Sequence, residues 1–341
     1  MPEKDPVSRA VGELAERRDL GAALAEEAFT QVMAGEASPV LMSALLTGLR
    51  VKGETADEVV GAVRALRAAM KPVAVPDGAT AVDTCGTGGG RVTTFNISTA
   101  AAFVVAGAGV HVAKHGNRSF TSQSGSADVL EALGVKLPQT PERAAGVLAE
   151  CRMTFLFAPL FHPAMRHVGP VRREIGITTM MNLLGPLANP AGVRRQVVGV
   201  ADEARAPLIA QALSRLGAEA AFVVHARAGL DEISPTGTTD VWEVRGGEVR
   251  QWTLEPEKLG RAGKLDGLRG GSPAANAAVI RDVLSGSDRS ERRLAVVLNA
   301  AAALVAAGVT NDWKQAADRA DEAIADRRGA AVLERLISTC E

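Results

Sequence analysis

Two short polar segments follow apolar runs that read as strands, and both are suited to anions. The first, GTGGG (86–90), comes directly after AVDTC (81–85) and shortly before a helix-forming stretch. Glycine lets the backbone take positive φ and bring N–H groups against a ligand, and a loop feeding a helix N-terminus is a ready anion site. Asn96, Ser98 and Thr99 then open the next helix, where their side chains either cap it or meet phosphate oxygens. Taken alone, the glycines serve a tight strand–helix turn equally well. The pattern is not G-x-G-x-x-G, since position 91 is Arg, and no Gly-Lys-Ser/Thr follows; the common nucleotide folds are disfavoured. The second segment, KHGNRSFTSQSGSAD (114–128), ends a strand-like VHVAK (110–114) and carries Lys114, Asn117, Arg118, Ser119, Thr121, Ser122, Ser124 and Ser126. Cations and hydroxyls at a strand's C-terminal end suit a polyanionic phosphate. A solvated polar loop is the plain alternative, but chance rarely places two such loops after successive strands.

Two further groups could act with them. Asp231 and Glu232 in AGLDEISPTG are adjacent carboxylates of the kind that hold Mg2+ together with water and substrate phosphates; a solvated acidic turn is the ordinary alternative. In FHPAMRHVGPVRREIG (161–176), Arg166, Arg172 and Arg173 are expected on one helix with His162 and His167. One arginine facing a cleft could hold a carboxylate through two parallel hydrogen bonds, with the others solvated or ion-paired.

These residues need a scaffold, and the rest of the 341 residues describes one. At about 150 residues per domain, the length suggests roughly two domains. Up to residue 71 only helical patterns occur: Val7, Val11 and Leu14 at helical spacing, Ser38-Pro39 as a helix start, Gly53 as a stop, and a Thr55/Glu58 capping box. KPVAVPDGA (71–79) reads as a hinge. Beyond it, short apolar runs alternate with helical stretches: 81–85, 110–114, MTFLF (153–157), QVVGV (196–200) and AFVVH (221–225). Such alternation predicts parallel strands with crossover helices. VWEVRGGEVRQW (241–252) reads as a hairpin around Gly246-Gly247, and the tail from about 273 is helical. The expected architecture is α/β: a small all-helical N-terminal domain (1–71, joined by a segment around 166–190), a hinge (72–79) and a larger α/β domain (80–341) with a mostly parallel sheet flanked by helices. NLLGPLANPAG (182–192) is a candidate second crossing between them.

Composition excludes several classes. Lys+Arg is 38 against 39 Asp+Glu, so the net charge of −1 gives no reason to bind nucleic acid or an anionic membrane. Aromatics are 3% with no Tyr, too few for a stacking platform. The longest apolar stretch, Leu294–Val309, is broken by Asn299 and is shorter than the roughly 18 residues a membrane span needs. Cys85, Cys151 and Cys340 lack C-x-x-C spacing, and MPEKDPVSRA has no apolar leader core. A cytoplasmic, reduced setting is expected.

The sequence resembles the anthranilate phosphoribosyltransferase family. The likeness is densest in DTCGTGGGRVTTFNISTAAAFVVAGAGVHVAKHGNR, SGSADVLEALGV, FHPAMRHVGPVRREIG, NLLGPLANPAG and the DE before the GTT turn, in the family's order and spacing. The resemblance implies transfer of phosphoribose from phosphoribosyl pyrophosphate (PRPP) to anthranilate, in tryptophan biosynthesis, by a Mg2+-using homodimer with two metals per subunit. It implies PRPP contacts at Gly86, Gly89, Gly90, Thr94, Asn96, Ile97, Ser98, Thr99, Lys114, His115, Gly116, Asn117, Arg118, Ser119, Thr121, Ser122 and Ser126. Anthranilate contacts would fall on Gly86, Asn117 and Arg172, and metal contacts on Ser98, Asp231 and Glu232. By its place in the motif, His115 would stand near the amine, as proton acceptor or as a loop-positioning group. The chain departs from the family at Gly90, where Asp is usual, and at Thr121, where Ser is usual. A pyrimidine nucleoside phosphorylase-like enzyme and a non-catalytic nucleic-acid-binding relative are the alternatives sharing the fold.

Overall fold

A computed structural model describes residues 5–90, 92–119 and 123–341. The N-terminal part is four helices, α1 (Pro6–Ala15), α2 (Gly21–Ala34), α3 (Pro39–Lys52) and α4 (Ala56–Ala68). Their ends follow local chemistry. Ser38 accepts from the Leu41 amide ahead of Pro39, Gly53 closes α3 at φ +91°, and Thr55 with Glu58 forms the reciprocal box of α4. Gly61 lets α2 and α4 touch, because a Cβ there would meet the Ala22 carbonyl and the Glu26 amide.

The remainder alternates: β1 (Ala81–Gly86), α5 (Ile97–Gly107), β2 (His111–Gly116), α6 (Ser126–Ala132), α7 (Pro141–Cys151), β3 (Met153–Phe157), α8 (Ala158–Phe161), α9 (Met165–Ile175), α10 (Met181–Leu184), β4 (Arg195–Gly199), α11 (Ala206–Arg215), β5 (Ala220–Ala226), β6 (Thr239–Arg245), β7 (Glu248–Leu254), α12 (Pro273–Ser285), α13 (Glu291–Ala307), α14 (Trp313–Ala325) and α15 (Arg328–Cys340). One seven-stranded sheet has the order β3-β2-β1-β4-β5-β6-β7. β3 through β5 pair in parallel and the β6–β7 hairpin adds antiparallel strands. The hairpin turns on Gly246 (φ +59°) and Gly247 (φ +85°), a two-residue turn that requires left-handed backbone at both positions. Every strand expected from the sequence is present, shifted by a residue or two at its ends.

The chain winds outward from β1 to β2 and β3, then returns to place β4 on β1's other side. That reversal makes the C-terminal ends of β1 and β4 a topological switch point, where open α/β sheets bind ligands. One sheet face is covered by α5 and α13, whose Ala- and Val-rich surfaces form the main core. The other face shares an apolar cluster with α1–α4, into which α9 and α10 insert Val168, Val171, Met181 and Leu184. The helical lobe is thus completed by residues from the middle of the chain. No described helix is long and apolar enough to cross a membrane.

Candidate active site

The Gly-rich loop lies at the switch point. Gly86 pairs with Gly199 across β1 and β4, and the Thr87 amide continues to the Gly199 carbonyl at 2.8 Å. Gly88 (φ +66°) and Gly89 (φ +83°) take conformations that side chains resist. The turn ends beside Asp231: a Cβ on Gly86 would stand 3.4 Å from Asp231 Oδ2, and one on Gly90 3.0 Å from Oδ1. Gly199 has the same purpose from β4, since any Cβ there would overlap the Asp231 carbonyl oxygen. Gly199, and less stringently Gly90, therefore open the space that Asp231 occupies, while Gly86 borders it at ordinary contact distance.

At the start of α5 the side chains divide. Asn96 does not cap the helix. Its amide donates to the Ser124 carbonyl (3.1 Å), and its oxygen accepts from Ser124 Oγ (3.1 Å) and Asn276 Nδ2 (3.0 Å). Asn96 thus ties the first loop to the second. The Ser98 amide donates to Glu232 Oε1 at 3.1 Å, setting a carboxylate on the positive end of α5. Thr94 bridges to Arg269 through the backbone, and Ile97 is core. Thr99 is buried, with a hydroxyl oxygen that has no hydrogen-bond partner among the described residues.

β2 delivers the second loop. Lys114 is buried, and its ammonium reaches the Thr84 carbonyl and, at 3.4 Å, Ser98 Oγ; burial lowers its pKa. It thus spans from its own strand to both β1 and α5. The His115 ring is engaged at both nitrogens, Nδ1 with the Gly185 carbonyl (3.1 Å) and Nε2 with His162 Nε2 (3.2 Å). Burial, and then the neighbouring imidazole, lowers His115 to about 3, and burial lowers His162 to about 4, so the pair is neutral. Of the two roles expected of His115, proton acceptor or loop-positioning group, the second accords with a ring whose two nitrogens both have partners. Gly116 is required where Ser126 Oγ and the Phe155 ring approach. The Asn117 carbonyl accepts from Ser126 Oγ (3.3 Å), and its side-chain oxygen accepts the Arg118 amide (2.7 Å). The Ser119 and Gly125 amides converge on Asp128 Oδ2 at 3.0 and 2.8 Å. Arg118 turns to its own helix, pairing with Asp128 at 3.1 Å and Glu131 at 2.6 Å over the Phe157 ring. Among the described residues it is the one cation of the loop that the structure directs away from the first loop. Thr121 and Ser122 lie outside the described residues.

Asp231 and Glu232 are half-buried, and among the described residues neither has a cationic side chain within 4.0 Å. Desolvation raises both, and Glu232, further raised by the Asp231 charge, stands at about 8. Two adjacent carboxylates that burial and mutual repulsion disfavour as anions, with the Ser98 hydroxyl beside them, form an all-oxygen donor set. That set fits a hard divalent cation such as Mg2+. On α9, Arg172 follows the buried Val171, is half-buried, and has no carboxylate within 4.0 Å among the described residues; burial lowers its pKa. Arg173 is exposed and Arg166 bonds His167 at 3.2 Å. His162 sits ahead of α9, at the end of α8, because Pro163 follows it and the helix starts only at Met165.

Sequence reasoning missed three residues at this site, Asp83, which accepts the His115 amide at 3.2 Å, Asn189, which donates to Asp83 at 2.8 Å, and Gly199, and it missed His162 as the partner of His115. Only the Asn-Pro pair in LANP and the Gly within QVVGV marked two of these positions, and neither signal names a partner.

The chain matches the model for the glycosyl transferase family a/b domain over residues 78–332 and the model for that family's helical bundle domain over 8–70. An anthranilate phosphoribosyltransferase of Rubrobacter xylanophilus is 49% identical over 92% of this chain and 91% of that protein. The crystal structure of the Thermus thermophilus anthranilate phosphoribosyltransferase superposes with a TM-score of 0.92 at 42% identity, covering 99% of both chains. The Saccharomyces cerevisiae enzyme in complex with PRPP and Mg superposes at 0.89 with 28% identity, over 99% of this chain and 98% of that one. With the switch-point loops, the buried acidic pair and this likeness along nearly the whole length, the chain belongs to the anthranilate phosphoribosyltransferase family.

Proposed function

We propose that the protein moves the 5-phosphoribosyl group of PRPP to the amine of anthranilate, giving N-(5-phosphoribosyl)anthranilate and pyrophosphate. The observation that carries this reading is the meeting, at one switch point, of a glycine loop, a lysine-bearing loop and a carboxylate pair that lacks a cationic partner among the described residues. The Gly86–Gly90 amides and the N-terminus of α5 receive the diphosphate, with Lys114 and the Gly116–Ser119 turn on its other side. Asp231, Glu232 and Ser98 hold Mg2+, which offsets negative charge on the departing pyrophosphate when bound. Fixed amides and Lys114 stabilise the same charge without reorganising. The sugar then passes through an oxocarbenium-like state, as in other glycosyl transfers. Anthranilate's aromatic amine is neutral at pH 7, so positioning rather than a strong base brings it to the anomeric carbon. Arg172 takes its carboxylate, and Asn117 orients it beside the sugar.

The chain acts as a cytoplasmic homodimer joined through α3. Val40 and Val51, each 78% exposed, lie eleven residues apart and hence within about 20° around the helix. Protein mixed with PRPP, Mg2+ and anthranilate should extinguish anthranilate fluorescence. Fluorescence that persists, or turnover of thymidine or uridine with inorganic phosphate instead, overturns the reading.

A further inference from the structure

We infer that Asn189 and Asp83 form a positioning clamp that locks the crossing between the lobes to the loop carrying Lys114, His115 and Asn117. The inference rests on the phosphoribosyl-transfer reading for its readout only, so turnover by the unaltered protein is established first.

Asn189 is 3% exposed and lies on the crossing from α10 to β4. One Nδ2 hydrogen goes to Asp83 Oδ2 at 2.8 Å and the other to the Ala113 carbonyl at 2.8 Å, while its oxygen accepts the Ala191 amide at 2.8 Å. Only a primary amide donates twice and accepts once from so short a stem. Asp83, fully buried in β1, uses its other oxygen to accept the His115 amide at 3.2 Å. A single carboxylate thus joins the crossing to β2 one residue before Gly116 and two before Asn117.

The same crossing is fastened along its length. The Gly185 carbonyl meets the His115 ring, Pro186 accepts from Gln196 at 3.0 Å, and Leu187 accepts from Arg67 at 2.9 Å. Pro190 accepts the Val73 amide at 2.9 Å, so the 71–79 segment and the 182–192 segment are bonded to each other. The two connections between the lobes are therefore bonded to each other, and the Asn189–Asp83 contact is what ties them to β1.

A fastener alone could be neutral, yet position 83 carries a buried carboxylate with no ion pair within 4.0 Å among the described residues. Its compensation comes from the field of Lys114 and from hydrogen bonds. The other polar groups facing it are the Cys85 thiol on β1 and the neutral His115 imidazole on β2, with His162 behind that ring and Glu232 beyond Lys114 and Cys85. Asp83 thus acts on the reaction through Lys114 and the Gly116–Asn117 backbone, and Asn189 acts through Asp83.

N189D tests the clamp by putting a second carboxylate against the first. Two facing carboxylates share one proton, so one of them titrates far above its usual range. At pH 8 the pair repels, and kcat/KM for PRPP should fall on the order of a hundredfold per folded molecule, the scale of a displaced reacting group. As pH drops toward 5 the shared proton restores a donor and activity should climb back, while the unaltered protein shows no such rise. The exchanged pair D83N/N189D again sets one amide against one carboxylate and should recover about tenfold over N189D at pH 8, the sign of direct coupling. Thermal melts at each pH fix the folded fraction. N189D with unaltered kcat/KM at pH 8, or an exchanged pair no better than N189D, overturns the proposal. If N189D does not fold, isosteric D83N decides: KM for PRPP should rise roughly tenfold, as for lost supporting contacts elsewhere, and KM for anthranilate, which meets this loop only through Asn117, should rise less. Equal change in both, or none, overturns it.

Discussion

The loops after β1 and β2 receive the same ligand in the proposed reading but are built differently. The first is mostly glycine, and its shape is imposed from outside, by Gly199, Asp231 and Glu232 on neighbouring strands and loops. The second is rich in side chains, and its described residues bond to one another and to α6: Asn117 to Arg118 and Ser126, the Ser119 and Gly125 amides to Asp128, Arg118 to Glu131. The first loop therefore offers backbone amides in a cavity others maintain. The described part of the second is tied by its own hydrogen bonds and anchored at its base by Lys114 and His115. A polar side chain in such a loop is as often scaffold as ligand.

The largest effect expected from this contrast is Gly199→Ala. Its methyl must displace the Asp231 backbone, and a shift near 1 Å at a reacting site costs on the order of a hundredfold in kcat/KM. A kinetic comparison with Gly146→Ala, on α7, where a Cβ meets nothing within 4 Å, together with thermal melts of both variants, separates this from loss of fold. Next, Arg172→Ala should weaken anthranilate by about 1.5–3 kcal/mol, the value of a charged hydrogen bond, and PRPP much less. Equal losses in the two titrations would remove Arg172 from the anthranilate site. Asp128→Ala deprives the Ser119 and Gly125 amides of their acceptor and should cost about 1 kcal/mol of stability by denaturant titration, with a weaker hold on PRPP. Arg118→Ala should change least: its ion pairs are exposed, worth under about 1 kcal/mol, and KM for PRPP should stay within about twofold. A large rise in that KM would show that the guanidinium turns inward when substrate binds.

The base of the second loop also predicts an acid sensitivity. Both His115 and His162 have folded pKa values below the usual 6.5, so below that value the unfolded chain binds protons that the folded pair refuses. Their contribution to stability is complete above about pH 6.5 and is lost as pH falls toward 4. His162→Gln, which keeps a donor for His115, should flatten the decline of melting temperature between pH 6.5 and 4.

Local order was legible in the residues. Ser38-Pro39, Thr55 with Glu58, the alternating apolar runs and Gly246-Gly247 each act over a few positions, and each formed the element it implied. The anion-suited loops were legible too, because glycine and hydroxyl content is a property of a segment. What the individual side chains do was less legible. The resemblance implies a PRPP contact at Arg118, and the residues alone give no hint that α6 would also set Glu131 within 2.6 Å of it. For His115 the residues left two roles open, proton acceptor or loop-positioning group, and could not show that Gly185 and His162 stand at its ring nitrogens.

By itself, then, the sequence determined the order of helices and strands, the presence of two phosphate-suited turns, and a near-balanced charge that gives no reason to bind nucleic acid or an anionic membrane. Tertiary structure alone decided that Asn189 meets Asp83 across 106 residues, that Asn96 joins Asn276 across 180, and that Gly199 and Gly90 make room for Asp231. The reason is range. Periodicity and capping act within one turn of chain, whereas a hydrogen bond between distant segments exists only once packing has set their backbones a few ångströms apart.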